Sequence, residues 1–421
     1  MAKPKLALIP SAQGSKFYSV LPSSGVGDFD FSRSGSATRI NSQGLIETVG
    51  NGVSRLNYPM IDGVVSGCPH HILEPQRTNL IQYSEDFSNS AWNKDNTTIT
   101  SNQVISPDGT LSADLLTAND GSHINAYTGI PTSNNNYYSY SVFLKKGNTN
   151  IIQPYIFEVG IGFKTISTIN FDNETATTTV GNISLEKYSN DWFKVSITLD
   201  LTSAYGFTFG IFTESTLGIK TVYAWGAQLE QGSYSTSYIP TNGSTVTRSS
   251  ETANGSGDAA TFNSEQGVLM WEGSTLDDST SGSVRRLSLS NGTNDNRIQI
   301  LFSNTVGRIG VIAKSGGLFQ IDTGFLGYNT IDSNKIAVRY GSGVFKVYIN
   351  GLSVFNDAGV SFSSISLDDL RFSNPFGTET LESKTKQIQY FDTALTDNEL
   401  ETLTSWVSFQ DMAEGQLYTI E

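Results

Sequence analysis

The run WFKVSITLDL alternates without a break. Phe193, Val195, Ile197, Leu199 and Leu201 fall on one face, and Lys194, Ser196, Thr198 and Asp200 on the other. A period of two fits an extended strand with one buried and one wet face, because neighbouring strand side chains point to opposite sides. The rhythm returns in YYSYSVFLKKG, where Tyr138, Tyr140, Val142 and Leu144 share a face and the Lys-Lys-Gly run ends the strand. In TVYAWGAQLE it sets Tyr223, Trp225, Ala227 and Leu229 against Val222, Ala224, Gln228 and Glu230. RIQILFSN alternates Ile298, Ile300 and Phe302 with Arg297, Gln299 and Ser303. Asn350-Gly351, between two strand-like runs, is a hairpin signal. These runs predict antiparallel β-sandwiches. One helix is predicted near the end, in TDNELETLTSW: Thr396 and Glu399 form a capping box, and Leu400, Leu403 and Trp406 share a face.

The 421 residues are enough for two or three domains. Residues 1–77 hold short strand-like pieces broken by Gly, Ser and Pro; too small for an independent core, they are expected to lean on another domain or a partner. Residues 78–242 carry the first sandwich. Residues 243–266, poor in large apolar side chains, are the linker candidate. Residues 267–410 form the second sandwich, and 411–421 a tail. No repeat of solenoid or propeller period occurs.

A net charge of −14 argues against nucleic-acid binding, which needs a basic stripe, and against docking on anionic lipid. The start, MAKPKLALIP, has only a five-residue apolar stretch, so no signal peptide is expected, and no later run suits membrane insertion. One cysteine excludes an intrachain disulfide framework.

CPHHILEPQRTNLI gathers the only cysteine, Cys68, with His70 and His71; the third histidine is His123. On a strand Cys68 and His70 share a face while His71 points away, which leaves too few ligands for a structural zinc site. Cys68 reads as a small buried hydrophobe. Ile72, Leu73, Leu80 and Ile81 read as inward anchors, and Glu74 and Arg77 as spaced to pair with each other or with the turn backbone. The structural residues expected are Leu73, Glu74 and Arg77. No catalytic motif stands out: an E-x-D-x-x-E strand of the glucanase kind is missing, and Glu230 and Glu272 each stand alone in their motifs.

Two resemblances follow from quoted stretches. GVLMWEG, VYINGLSVF and IQYFDTALTDNELETL resemble the concanavalin A-like, or laminin G-like, lectin sandwich. FSRSGSATRINSQGLIETVGNGVSRLNYP, LEPQRTNLIQYSEDFSNSAWNK and YAWGAQLEQGSYSTSYIPTNGSTVTR resemble a segment of tailed-bacteriophage structural proteins that precedes a carbohydrate-binding-module-like jelly roll. Together they imply an all-β chain of two antiparallel jelly-roll β-sandwiches in tandem, with an irregular β-rich N-terminal docking region and one short C-terminal helix. They also imply a virion fibre or decoration protein, made in the host cytoplasm. It would contact other virion proteins through its N-terminal region and assemble as a homo-oligomer, trimer favoured, with host-surface glycans as ligands. The alternatives are a secreted glycan-binding lectin and a glycoside hydrolase or polysaccharide depolymerase.

Sugar binding stacks aromatic rings on pyranose faces. Trp92, Tyr137, Tyr328 and Tyr340 are the candidate stacking residues, whereas Trp192 and Trp225 sit on apolar faces and read as core. No cofactor is expected beyond calcium, which some laminin G-like domains hold; Asp368, Asp369 and Asp392 are its candidate ligands.

Overall fold

The structure is a computed structural model that describes residues 2–128, 136–158, 161–201, 207–212, 218–278, 284–341, 343–359, 366–406, 411 and 415; the side chains of 119–128 and 207–212 are not described. The expected fold class holds: strands dominate, and one short helix, Asp397–Ser405, lies near the end. Of the predicted tail 411–421, only 411 and 415 are among the described residues.

In the last unit the strand Gln266–Thr275 is flanked by Asn334–Gly341 and by Ser383–Phe391, both antiparallel. The sheet then runs outward on one side through Phe345–Ile349 and Leu352–Asp357. These two strands are joined by Asn350 and Gly351, both at positive φ, as a type I′ turn requires. On the other side the sheet passes into the start of the chain. Leu6–Gln13 pairs with Ser383–Phe391, and Lys16–Leu21, Phe29–Ser32 and Thr252–Asn254 follow in order. A five-stranded sheet, from Leu318–Phe325 to Asp369–Arg371, supplies the facing layer.

One core fills the space between these sheets. It takes Leu6, Leu8, Phe17, Phe29, Phe31 and Leu73 from the N-terminal segment, along with Trp271, Ile300, Val338 and Ile388. The N-terminal segment therefore leans on the last sandwich, because its alternating apolar residues have no core of their own to fill. The stretch 243–266 is also more than a linker. Val246–Arg248 pairs with Arg77–Asn79, Thr252–Asn254 extends the large sheet, and Arg248, Glu251 and Ala253 are buried. Its small residues let the backbone lie close against packed surfaces, and its two buried charges, Arg248 and Glu251, find partners that composition does not reveal.

The middle unit is a ten-stranded sheet, counted over the described residues, around a core of its own. Asn136–Lys146 and Trp192–Leu201 pair so that Tyr140 faces Ile197, Val142 faces Val195 and Leu144 faces Phe193, all buried in that core. The simple alternation fails in Lys220–Gln231. Gly226, at φ +62°, sits in a register shift against Asn136–Lys146. The bulge puts Val222, Ala224, Ala227 and Leu229 inward and turns Trp225 to the other side. There Trp225 joins Phe143, Tyr188, Trp192 and Tyr238 in an aromatic cluster that the N-terminal segment caps with Ile46.

The helix has its capping box: the Glu399 backbone N–H donates to the Thr396 hydroxyl, and the Thr396 backbone N–H to the Glu399 carboxylate. Leu400 and Leu403 pack on Val268, Met270 and Tyr348. Trp406 is displaced from the expected helical face, since the helix ends at Ser405 and Trp406 is its C-cap. A Cβ added at Gly226 would lie 3.0 Å from the Phe143 ring. Together with the left-handed backbone, that predicts a loss of about 1–2 kcal/mol for Gly226→Ala, read as a lower thermal unfolding midpoint.

Candidate functional site

His70–Leu73 forms a strand between Leu56–Asn57 and Ser383–Phe391. Alternation sends its side chains two ways. His71 and Leu73 enter the last sandwich, where the His71 ring stacks on Phe17 with centroids 4.0 Å apart. His70, Ile72 and Glu74 instead line a cleft. Ile81 is buried in the middle core, with Leu80 packed against it. Cys68 is exposed, contrary to the expectation of a buried hydrophobe, because it lies in the irregular stretch before the strand starts. The His123 side chain lies outside the described residues.

Glu74 and Arg77 do not pair with each other. Glu74 accepts from Arg55 and Arg248, each at 2.8 Å, and from the Ser237 backbone N–H and hydroxyl at 2.8 and 2.6 Å. A second buried carboxylate, Glu251, accepts from Arg33 at 2.7 Å and from Arg55 Nε at 2.8 Å, and also takes the Glu74 backbone N–H at 2.9 Å. Three guanidiniums thus surround two carboxylates, and all five side chains are buried. Burial alone would raise the Glu74 carboxyl, but Arg248 and Arg55 outweigh it and hold its pKa below the ordinary range. Arg77 instead donates to the neighbouring Gln76 carbonyl at 3.1 Å. It lies over the Tyr234 ring at 5.2 Å, with its Nε 3.7 Å from Glu230.

The cleft lies where the three parts of the chain meet, and its volume is about 920 Å³. The N-terminal segment contributes Tyr58, Met60 and Asp62. The middle unit contributes Tyr188, Phe193, Lys194 and the run 234–238, and the last sandwich Ser274, Asp332, Lys384 and Lys386. Lys194 is buried and donates to the Thr236 carbonyl at 2.9 Å. Lys384 and Lys386 stand exposed on one strand, pointing to the same side. Volume and lining match a small-ligand site: half-buried rings beside polar and charged groups at fixed positions.

The predicted stacking residues lie elsewhere. Trp92 is buried in the middle core, donates from its indole N–H to the Tyr83 carbonyl and packs on Phe87. Tyr340 is fully buried, its hydroxyl bonded to Tyr390 and the Asn263 carbonyl. Neither ring offers a face to a sugar, because each has been drawn inward to fill a core. Tyr137 is exposed and Tyr328 half-buried, but neither lines the cleft. Trp192 and Trp225 are buried, with their N–H groups on the Ile105 carbonyl and the Ser112 hydroxyl. Sequence reasoning missed Tyr58, Tyr234, Tyr238 and Lys384. The one visible signal was the SYSTSYIP run, where rings and hydroxyls alternate.

The calcium candidates do not converge on an ion site. The Asp369 carboxylate is bound by Arg371, the Asp368 backbone N–H donates to the Ser290 carbonyl, and the Asp392 carbonyl accepts from Asn263. Among the described residues, no three His, Cys, Asp or Glu gather as metal ligands. Glu230 accepts from Gln228, the Thr236 backbone and the Thr236 hydroxyl. Glu272 accepts from Gln387 at 2.6 Å and lies within 4 Å of Lys335 and Lys386. Both carboxylates are occupied by the protein's own groups.

No protein-family model and no curated protein matches the sequence. Among solved structures, the chain is similar to the CBM40 of a Ruminococcus gnavus IT-sialidase bound to α2,3-sialyllactose. That likeness has 20% identity and a TM-score of 0.27, and covers 33% of this chain and 83% of that one. Domain 4 of a GH43 extracellular arabinanase from Geobacillus stearothermophilus, in complex with arabinotriose, is similar at 13% identity and a TM-score of 0.28, covering 37% of this chain and 73% of that one. Xenopus laevis galectin-Ib is similar at 12% identity and a TM-score of 0.22, covering 31% and 96%.

The buried ionisable groups make two predictions about stability. Glu251→Gln leaves Arg33 and Arg55 short of a counter-charge and costs about 3–5 kcal/mol in chemical denaturation. Burial holds the His71 pKa down at about 3, the Ile9 backbone offsetting it only in part. An unfolded histidine titrates near ~6.5, so His71 contributes stability fully present above that pH. This is lost as pH falls toward 3, at about 1.4 kcal/mol per unit. His70, depressed by burial and then by Lys384, acts in the same direction. His71→Phe should flatten the stability-versus-pH curve between pH 6 and 4.

Proposed function

We propose that this protein is a glycan-binding component of a bacteriophage virion, a fibre or decoration protein that holds host-surface saccharides in the cleft between its two sandwiches. The observation that carries the binding role is the cleft itself. The half-buried rings of Tyr58 and Tyr234 line it alongside the ammonium groups of Lys384 and Lys386. Rings for the apolar faces of pyranoses and polar groups for their hydroxyls are what saccharide binding requires. The virion setting is supported by the three spaced motifs between residues 29 and 250 that resemble tailed-phage structural proteins.

Binding without cleavage is the reading favoured over a hydrolase. Glu230 and Glu272 are engaged in buried hydrogen bonds, whereas glycoside hydrolysis needs a carboxyl pair flanking the scissile bond. A glycan array run beside a polysaccharide-cleavage assay tests this. The expected result is binding without turnover, weakened at least tenfold by Tyr58→Ala. An empty array would overturn the binding role, and measured turnover would replace it with the depolymerase reading. For the setting, genes for capsid, portal or tail proteins should flank this one; a polysaccharide-utilisation neighbourhood would favour a secreted lectin.

A further inference from the structure

We infer that the saccharide held in the cleft is anionic, and that its acidic group is received at the end formed by Lys194, Lys384 and Lys386. This rests on the cleft being a saccharide site. The argument is one of charge balance in a chain whose net charge is −14. Behind that end lies the buried network, where Arg33, Arg55 and Arg248 face only Glu74 and Glu251. One positive charge there has no counter-charge within the network. Lys194 lies beside it, buried and donating to the Thr236 carbonyl, with the exposed Glu186 opposite it on the neighbouring strand.

At the mouth, Lys384 and Lys386 point the same way from one strand, and both lower the His70 pKa through their charge, which places them beside it. Lys386 and Lys335 share Glu272 as their carboxylate, at 3.8 and 3.6 Å. The remaining carboxylate on that wall, Asp332, accepts from Asn329. The other wall is different. There Lys187 is matched by Glu174, with Asp62 close by. The lining carboxylates Asp62, Glu174 and Glu186 gather on the side of Lys187, so the cleft is polarised, with its positive end where His70, Glu74 and the lysines meet. Buried positive charge is costly without a counter-ion, and a bound carboxylate or sulfate ester would supply one.

The test uses the full chain on an array of neutral, uronate-bearing, sialylated and sulfated oligosaccharides. The three acidic sets distinguish which source supplies the charge. Acidic members should dominate, with affinity falling at least tenfold between 50 and 500 mM NaCl, estimated from the screening of exposed charges. Lys384→Ala combined with Lys386→Ala should bring the acidic-to-neutral ratio down about tenfold. Lys314→Ala, on the five-stranded sheet and outside the cleft lining, should keep it. Both lysines are exposed, so the double variant should keep its thermal midpoint, and that measurement separates lost charge from lost fold. Neutral sugars binding as well as acidic ones, or a ratio unmoved by the double variant, would overturn the inference while leaving the saccharide role standing. An array with no binder at all would remove both.

Discussion

The arrangement of this molecule depends on five buried ionised side chains. Arg33 and Arg55 come from the N-terminal segment, Glu74 from the strand that leads out of it, and Arg248 and Glu251 from the stretch between the sandwiches. Charges removed from water are tolerable only when each is met by others and by hydrogen bonds, so their positions are mutually determined. Arg55 is the centre, bonded at once to Glu74, Glu251, the Thr38 carbonyl and the Ser237 hydroxyl. The backbone N–H of Glu74 is itself a donor to Glu251, so main chain and side chain are tied at the same point. A shift of one sandwich against the other would break this set before it broke either hydrophobic core.

A second set of polar contacts joins the sandwiches at the turn that Arg77 occupies. The Ser233 hydroxyl donates to Asp277, the Tyr234 hydroxyl reaches Glu382, and Arg285 lies within 4 Å of both Asp277 and Glu382. The cleft is a by-product of these contacts. Its lining residues run from Thr38 to Lys386, and no single unit contains enough of them to make a site. The proposed binding site and the rigidity of the molecule therefore belong to the same junction.

Much of the fold was legible in residue order, and the site much less so. A strict period of two placed Tyr140, Val142, Val195 and Ile197 on one buried face, because that pattern has a single physical meaning. It misplaced Trp225, since one glycine bulge shifts every later residue to the opposite side, and Gly226 carries no mark of that in the sequence. Trp92 looked like a surface ring among polar neighbours, yet it fills the middle core, because local polarity says little about a long side chain that can reach inward. Glu74 was singled out for its spacing to Arg77, but its partners are Arg55 and Arg248, 19 and 174 positions away along the chain. Spacing rules see only neighbours. A cleft assembled from three distant segments leaves no motif at all, apart from the rings and hydroxyls of SYSTSYIP.

The pairing of Leu6 with Tyr390 carries a consequence for how the chain is made. The strand Leu6–Gln13 is synthesised long before its neighbour Ser383–Phe391. At ~5–20 residues per second, the first strand waits roughly 20 seconds to over a minute for the edge it will occupy. During that interval Leu6, Leu8 and Phe17 have no finished core to enter. A nascent chain that stops short leaves them unsheltered, a natural mark for chaperones and proteases. Only a chain that extends through Ser383–Phe391 can close this clasp, so the first strand finds its place only after a strand far along the chain has been made.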